Sequence, residues 1–188
     1  MFHEKINLPS IVKIKEVLSC SESHNLPKLN ILILRSITIE PLSIYLKYFA
    51  LNLGYSLNIS IGNFDNIYQE SVFPENRLLK ERIDFILIFS PINTMTSFIE
   101  SQDIKNLKKD YLNEETRIKK YFYDVFQGIR KNTEAPILFH SFENLIYPSL
   151  GIYDNQSQYG VERFINQNNQ NIFELTKDHE DIYIVNNN

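Results

Sequence analysis

The sequence has few of the features that mark secreted, metal-binding or membrane proteins. Its one cysteine, Cys20, cannot form an internal disulfide, and the cysteine and histidine residues show no zinc-binding spacing. No stretch reaches the roughly 20 uninterrupted apolar residues of a spanning helix, and the N-terminus has no small-residue cleavage site. The net charge of −4 provides no basic excess for neutralising phosphates. We therefore expect a cytoplasmic protein without metal or cofactor, and with neither membrane nor nucleic acid as a partner.

The composition is that of an ordinary globular domain. The chain has 188 residues, of which 43% are hydrophobic and 22% charged. A chain of this size buries enough surface to form a core without disulfides or metal. We expect a single domain over residues 1–188, with a short N-terminal helix at about 5–20 leading into it.

Apolar runs alternate with amphipathic stretches along the chain. Continuous runs of isoleucine, leucine and phenylalanine are typical of strands covered on both faces. The predicted strands are Ile31–Leu34, Leu57–Ile61, Ile83–Phe89, Pro136–Phe139 and Asp181–Val185. The predicted helices are Ile6–Leu18, Pro41–Leu53, Glu114–Lys131 and Val161–Lys177. This alternation predicts an α/β fold, a three-layer α/β/α domain with about five mainly parallel strands.

Ligands of open parallel sheets bind outside the carboxyl ends of the strands, so the residues that follow each strand are candidates for a site. Ser36 follows the first strand and precedes the helix that begins near Pro41. Its hydroxyl would lie near unpaired backbone N–H groups and the positive end of the helix dipole, which stabilise an oxyanion or a phosphate. The alternative is that Ser36 only satisfies local backbone donors.

Four short motifs resemble known families. LNILILRSITIEPL resembles the first conserved block of the SGNH hydrolases, in which a strand ends at a nucleophilic serine. Together with GNFDNIYQE, HSFE and GIYDNQSQYG, it more closely resembles the N-terminal domain of FkbH-like proteins, from about Ile6 to Val185. That resemblance implies an SGNH-hydrolase or flavodoxin-like fold. It also implies a part in loading a glyceryl group from a phosphorylated glycerate onto the thiol of an acyl carrier protein.

The resemblance assigns roles to three residues, and the sequence also departs from the SGNH pattern. Ser36 matches the nucleophile, Gly62 could lend a backbone N–H to the oxyanion, and Asn93 could stand in for the family's asparagine donor. However, Arg35 replaces the aspartate before the serine, and the GxND block is not reproduced around Asn93. The D-x-x-H motif that activates the serine does not occur in the sequence.

His140 is the one base candidate expected at the carboxyl ends of the strands, with Glu143 or Asp154 as the group that orients it. Its alternative is a structural histidine at a strand end. Arg35 is expected to bind an anionic group or to form an ion pair with Glu40. Asp154 lines the pocket or forms an Asx-type turn.

Three functions follow, in order of preference. The first is an FkbH-type N-terminal domain that handles acyl (glyceryl) transfer to an acyl carrier protein. Its partners are the carrier's phosphopantetheine thiol and a phosphorylated or thioester-linked acyl donor. The second is a non-catalytic docking or substrate-binding module, and the third a stand-alone ester hydrolase. FkbH-like proteins continue into a HAD-type phosphatase-like domain marked by D-x-D-x-T/V. This sequence stops at Asn188 without that motif, so we expect the HAD domain to be absent from this chain.

Overall fold

The computed structural model describes residues 8–20, 26–73, 81–100, 103, 105–143, 148, 150–177 and 179–186. Five strands are β1 (Lys28–Arg35), β2 (Ser56–Ile61), β3 (Phe85–Phe89), β4 (Ile137–His140) and β5 (Ile182–Val185). The helices are α1 (Ile11–Cys20), α2 (Glu40–Asn52), α3 (Ile67–Val72), α4 (Ile92–Met95), α5 (Leu107–Arg130), α6 (Ile152–Gln156) and α7 (Val161–Lys177). A 3₁₀ turn at Ser97–Ile99 lies between α4 and α5.

The strands form one parallel sheet in the order β2-β1-β3-β4-β5. The chain first moves from β1 outward to β2 and then crosses back to β3 on the other side of β1. This is the strand order of flavodoxin-like doubly wound folds, whose switch point lies between β1 and β3. The predicted three-layer α/β/α architecture with five parallel strands is confirmed.

Two predicted helices differ from the observed ones at their starts. Helix α5 begins at Leu107, although the sequence predicts Glu114. Its first two turns are rich in lysine, asparagine and aspartate, which hides their helical periodicity. Helix α1 runs over Ile11–Cys20, although Ile6–Leu18 is predicted. Residues 6 and 7 of that prediction lie outside the described residues.

One face of the sheet carries the main core. Strand side chains alternate between faces, and those on this face include Leu32, Ile88 and Phe139. They pack against α3, α5 and α7, where Phe122 and Phe164 are fully buried. Phe122 makes an edge-to-face contact with Phe139, with ring centroids 5.0 Å apart. The amphipathic helices α5 and α7 therefore bury a continuous apolar stripe against the sheet.

The opposite face is covered by α1 and α2, which pack against each other near β1 and β2. Ile33 of β1 and Ile14 of α1 are fully buried on this side. Helix α2, all of whose residues are described, has no fully buried residue. Towards β5 the same face is open, with Tyr183 52% and Val185 42% exposed.

Helices α3 and α5 contact each other through their backbones at Gly128. A Cβ atom added at Gly128 would lie 2.8 Å from the carbonyl carbon of Ser71 and 2.9 Å from the Cα of Val72. Only a hydrogen atom fits at that position in α5. Among the described residues, no helix has the length and apolar character that crossing a bilayer requires.

Candidate functional site

The site that the sequence predicts lies where β1 and β3 end side by side. The Ser36 backbone N–H donates a hydrogen bond to the carbonyl oxygen of Phe89 at 3.0 Å, which extends the parallel pairing by one residue. Ser36 and Ser90 therefore follow their strands at the same level, and their hydroxyl oxygens are 3.4 Å apart. We call the surface formed by Ser36, Ser90 and Thr94 the switch-point rim.

Ser36 is buried, at 4% exposure, and its hydroxyl is hydrogen-bonded. Its oxygen is 2.7 Å from the Oγ1 of Thr94. The Oγ1 of Thr94 also lies within hydrogen-bond distance of the carbonyl oxygen of Pro91, at 2.8 Å. A hydroxyl has one proton to donate and can also accept. Either hydroxyl can be the donor between Ser36 and Thr94, and Ser36 can also donate to the Oγ of Ser90 at 3.4 Å. Its partners here are thus two neutral hydroxyl groups.

Arg35 connects the loop after β2 to the segment between β1 and the start of α2, beside this rim. Its Nε donates to the carbonyl oxygen of Gly62 at 3.3 Å, and its Nη1 donates to that of Ile37 at 3.2 Å. The two guanidinium nitrogens also hold the Glu40 carboxylate, at 3.1 and 2.9 Å. The pKa of the Glu40 carboxyl is lowered, first by its own backbone N–H and further by the charge of Arg35. Of the two roles expected for Arg35, an anion-binding group or a partner of Glu40, the structure shows the ion pair with Glu40.

The two predicted oxyanion donors lie on either side of Ser36. The backbone N–H of Gly62 donates to the carbonyl oxygen of Ile33 at 2.8 Å, so the sheet uses this group. Asn93 lies in α4, next to Thr94, and is exposed. The structure thus brings Asn93 to the edge of the rim, whereas the Gly62 N–H is engaged elsewhere.

His140 ends β4, at the same end of the sheet as Ser36, and β3 lies between them. Its ring packs on that of Phe89, with centroids 4.9 Å apart. Burial lowers the pKa of His140, and the negative charge of Glu143 acts in the opposite direction. His140 and Glu143 therefore interact electrostatically at the carboxyl end of β4, which is the strand next to β3 on the side away from β1.

Asp154 stabilises the start of α7. It is 1% exposed, and its two carboxylate oxygens accept hydrogen bonds from the backbone N–H groups of Val161 at 2.7 Å and Glu162 at 3.1 Å. These N–H groups have no partner within the helix, and a carboxylate there is also favoured by the helix dipole. Asp154 therefore caps the N-terminus of α7.

Sequence reasoning missed two positioning contacts. The hydroxyl of Thr94 meets Ser36 across 58 positions of sequence, and no local pattern signals that contact. The side chain of Asn169 in α7 clamps the segment after β4, accepting from the backbone N–H of Phe142 and donating to its carbonyl oxygen, both at 2.8 Å. An amide side chain within an amphipathic helix was the only sign of this clamp.

Metal ligands do not converge in the part of the chain that the structure describes. There, no three histidine, cysteine, aspartate or glutamate side chains are arranged so that they could hold an ion.

The fold is similar to that of a solved structure, the N-terminal part of the protein BF1531 from Bacteroides fragilis, which is described as containing a phosphatase domain complexed with Mg. The TM-score is 0.74 at 13% sequence identity, and the match covers 96% of this chain and 46% of the other. This chain thus spans a little less than half of that structure, and a likeness at this identity shows the fold. No family model matches the sequence. No curated protein matches it either.

Proposed function

We propose that this chain is an FkbH-like N-terminal domain that binds a glyceryl-type acyl group carried by an acyl carrier protein, without forming a covalent serine intermediate. Two observations support the family assignment. Four motifs, from LRSITIEPL to GIYDNQSQYG, occur in the order that FkbH-like proteins have. The fold is similar to part of a protein that contains a phosphatase domain, as FkbH-like proteins contain a HAD-type one.

The chemical nature of the hydrogen-bond partners of Ser36 carries the non-covalent part of the proposal. A nucleophilic serine needs a base within hydrogen-bond reach to take its proton. The side-chain partners of the Ser36 hydroxyl among the described residues are the hydroxyls of Thr94 and Ser90. A neutral hydroxyl group does not serve as the base at neutral pH, so the serine is held as a hydrogen-bonding group.

The exposed residues around the rim fit a small hydroxylated acyl group. Thr38, Asn63, Asn93 and Thr94 are all exposed and follow β1, β2 or β3. Together they provide amide and hydroxyl groups that donate as well as accept hydrogen bonds. Such groups match the hydroxyls of a glyceryl chain, and a site that pairs each substrate hydroxyl rejects analogues that lack it.

The alternative is a catalytic Ser36, which is favoured by one observation: His140 lies on the same end of the sheet. In that reaction the serine oxygen would attack the thioester carbonyl, and the serine proton would pass to His140. The carbon–sulfur bond would then break, and His140 would give the proton to the leaving thiolate. The enzyme would gain the mass of the acyl group.

Mass spectrometry of the intact protein separates the two proposals. After incubation with a glyceryl-loaded acyl carrier protein, we expect unmodified protein. We also expect the carrier's affinity for Ser36→Ala to stay within about threefold of the wild type, because one neutral hydrogen bond contributes little net free energy. A wild-type adduct that is lost in Ser36→Ala would establish covalent catalysis. No binding of the loaded carrier to the wild type would refute the proposed function.

A further inference from the structure

We propose that a lysine patch at the start of α5 is the surface on which the acyl carrier protein docks through an acidic face. The patch consists of Lys105, Lys108 and Lys109. The inference rests on the proposed function, because it names the place where the proposed partner binds. It adds a surface that lies outside the switch-point rim and includes none of the rim's residues.

Residues 103–110 contain three lysines and two aspartates, Asp103 and Asp110, and so carry a net charge of +1 on a chain whose net charge is −4. All three lysines are exposed. None of them forms an ion pair with another residue in the described ranges, where the five ion pairs involve other cations. The Lys108 ammonium lies 5.9 Å from the centre of the Tyr159 ring, within the range of a cation–π contact. The patch thus offers cations to a partner from outside the chain.

The stability of α5 does not account for these lysines. The N-terminus of a helix has partial positive charge, so anionic side chains are favoured there and cationic ones are disfavoured. Lys108 and Lys109 are the second and third residues of α5, and Lys105 precedes the helix by two positions. Lysines in these positions oppose the helix dipole, and an anionic partner would turn that unfavourable arrangement into an attractive one.

The surface is concave and has an apolar wall. A depression of about 410 Å³ is lined by Lys105, Asn106, Lys108, Lys109, Leu112 and Asn113. Leu112 is exposed, so it can contact an apolar side chain while the lysines and asparagines meet polar groups. Apolar contact surrounded by polar groups is the usual composition of a protein–protein interface.

The patch lies at the same end of the sheet as the rim. Helix α5 follows β3 through α4, and it ends at Arg130, shortly before β4 begins at Ile137. Because β3 and β4 are parallel, α5 must run back along the sheet and begin near the carboxyl ends of the strands. Arg117 of α5 donates to the carbonyl oxygen of Met95, the residue after Thr94. Lys109 precedes Arg117 by eight residues, which is about 12 Å along the helix axis. A carrier seated on the patch would therefore stand at the same end of the sheet as the rim, further along α5 than this contact.

The chemistry of the carrier's arm matches this arrangement. Phosphopantetheine is attached through a phosphodiester, which is anionic, and lysine binds phosphate as a point charge. An acidic carrier face on the patch would place the base of the arm near lysine and let the thioester extend towards the rim. Attraction between exposed charges also predicts an association that weakens as salt is added.

Titration calorimetry with a holo acyl carrier protein tests the assignment. The variant carries Lys105→Glu, Lys108→Glu and Lys109→Glu. Its matched control carries Lys13→Glu, Lys15→Glu and Lys47→Glu, at exposed positions of α1 and α2. Each set lowers the formal net charge from −4 to −10, because every reversal subtracts two charges. Glutamates at the start of α5 agree with the helix dipole, so the variant is expected to fold, and circular dichroism checks this.

We expect the patch variant to bind the carrier at least about tenfold more weakly than the wild type, and the control to stay within about twofold. A carrier variant with lysines on its acidic face should recover affinity for the patch variant. Equal affinities of the patch variant and the control would overturn the docking surface and leave the proposed function standing. Absence of carrier binding to the wild type would instead refute the proposed function itself.

Discussion

The two faces of the sheet are built very differently. On one face, α5 and α7 bury phenylalanine and isoleucine side chains in a continuous core that reaches from β1 to β5. On the other, α1 contributes Ile14 as its one fully buried residue, and α2, described over its entire length, contributes none. The same parallel strands are therefore a core layer on one side and a partly open surface on the other.

Because of this difference, the residues that contribute most to stability are not the residues of the candidate site. The residues that end the strands on the open side, Arg35 and His140, are half-buried and polar. Arg35 binds the carbonyl oxygens of Gly62 and Ile37 and the carboxylate of Glu40, and the His140 ring packs on that of Phe89. Substitutions on this side are expected to change binding or titration with little loss of folding free energy, whereas those on the core side should mainly unfold the domain.

The largest expected effect is the loss of Phe122. Phe122→Ala empties a site surrounded by Phe126, Phe139 and Phe142, and we expect it to reduce the free energy of unfolding by about 3–5 kcal/mol. The matched Phe49→Ala on α2 should cost about 1 kcal/mol, because Phe49 is already exposed. Urea denaturation measures both. Similar losses in the two variants would contradict the contrast between the faces.

A smaller loss is expected at the cap of α7. Asp154→Ala leaves the N–H groups of Val161 and Glu162 without acceptors, and we expect it to destabilise the domain by about 1–2 kcal/mol. Hydrogen exchange should accelerate in the first turn of α7. Asn155→Ala, at an exposed neighbour, serves as the control and should leave exchange unchanged. Unaltered exchange in Asp154→Ala would show that the carboxylate does not cap the helix.

The smallest effect is a pH dependence on the open side. Burial holds the pKa of His140 below the ordinary 6.5, so the unfolded chain binds the proton more readily than the folded one. Its contribution to stability is complete above about pH 6.5 and is lost as pH falls through the folded pKa. His140→Gln should flatten this part of the stability profile.

Glu143→Gln is the companion variant for His140. It removes the charge that opposes the effect of burial, so the pKa of His140 should fall further. An NMR titration of the His140 ring measures the pKa directly in the wild type and in this variant. A pKa above 6.5 in the wild type would contradict the lowering by burial.

Most of the fold was accessible from the sequence because the apolar runs are long enough to specify strands on their own. Ile31–Leu34 and Val161–Lys177 show this well: the former lies inside β1, and the latter coincides with α7. The start of α5 was not accessible, because its first turns are polar and only Leu107 and Tyr111 of them are buried.

The sequence is sufficient to predict where the candidate site lies, but not which of its residues contact each other. The end of β1 marks Ser36 as a rim residue, since buried parallel strands present their ends at one edge. Its partner Thr94 depends on how β3 pairs with β1 in space, which no local periodicity encodes. The contact between Ser36 and Thr94 spans 58 positions of sequence. The cap formed by Asp154 is local, seven positions from Val161, but it depends on how the chain turns between α6 and α7.

The backbone contact at Gly128 links the core to the loop that follows β2. Helix α3, which rests on Gly128, carries Glu70, whose Oε1 accepts the backbone N–H of Asn63 at 2.9 Å. A methyl group at position 128 would push α3 outward and move the Asn63 loop with it. An engineer reshaping the loop after β2 must therefore keep glycine at position 128 in α5, because a side chain there would displace the helix that holds this loop.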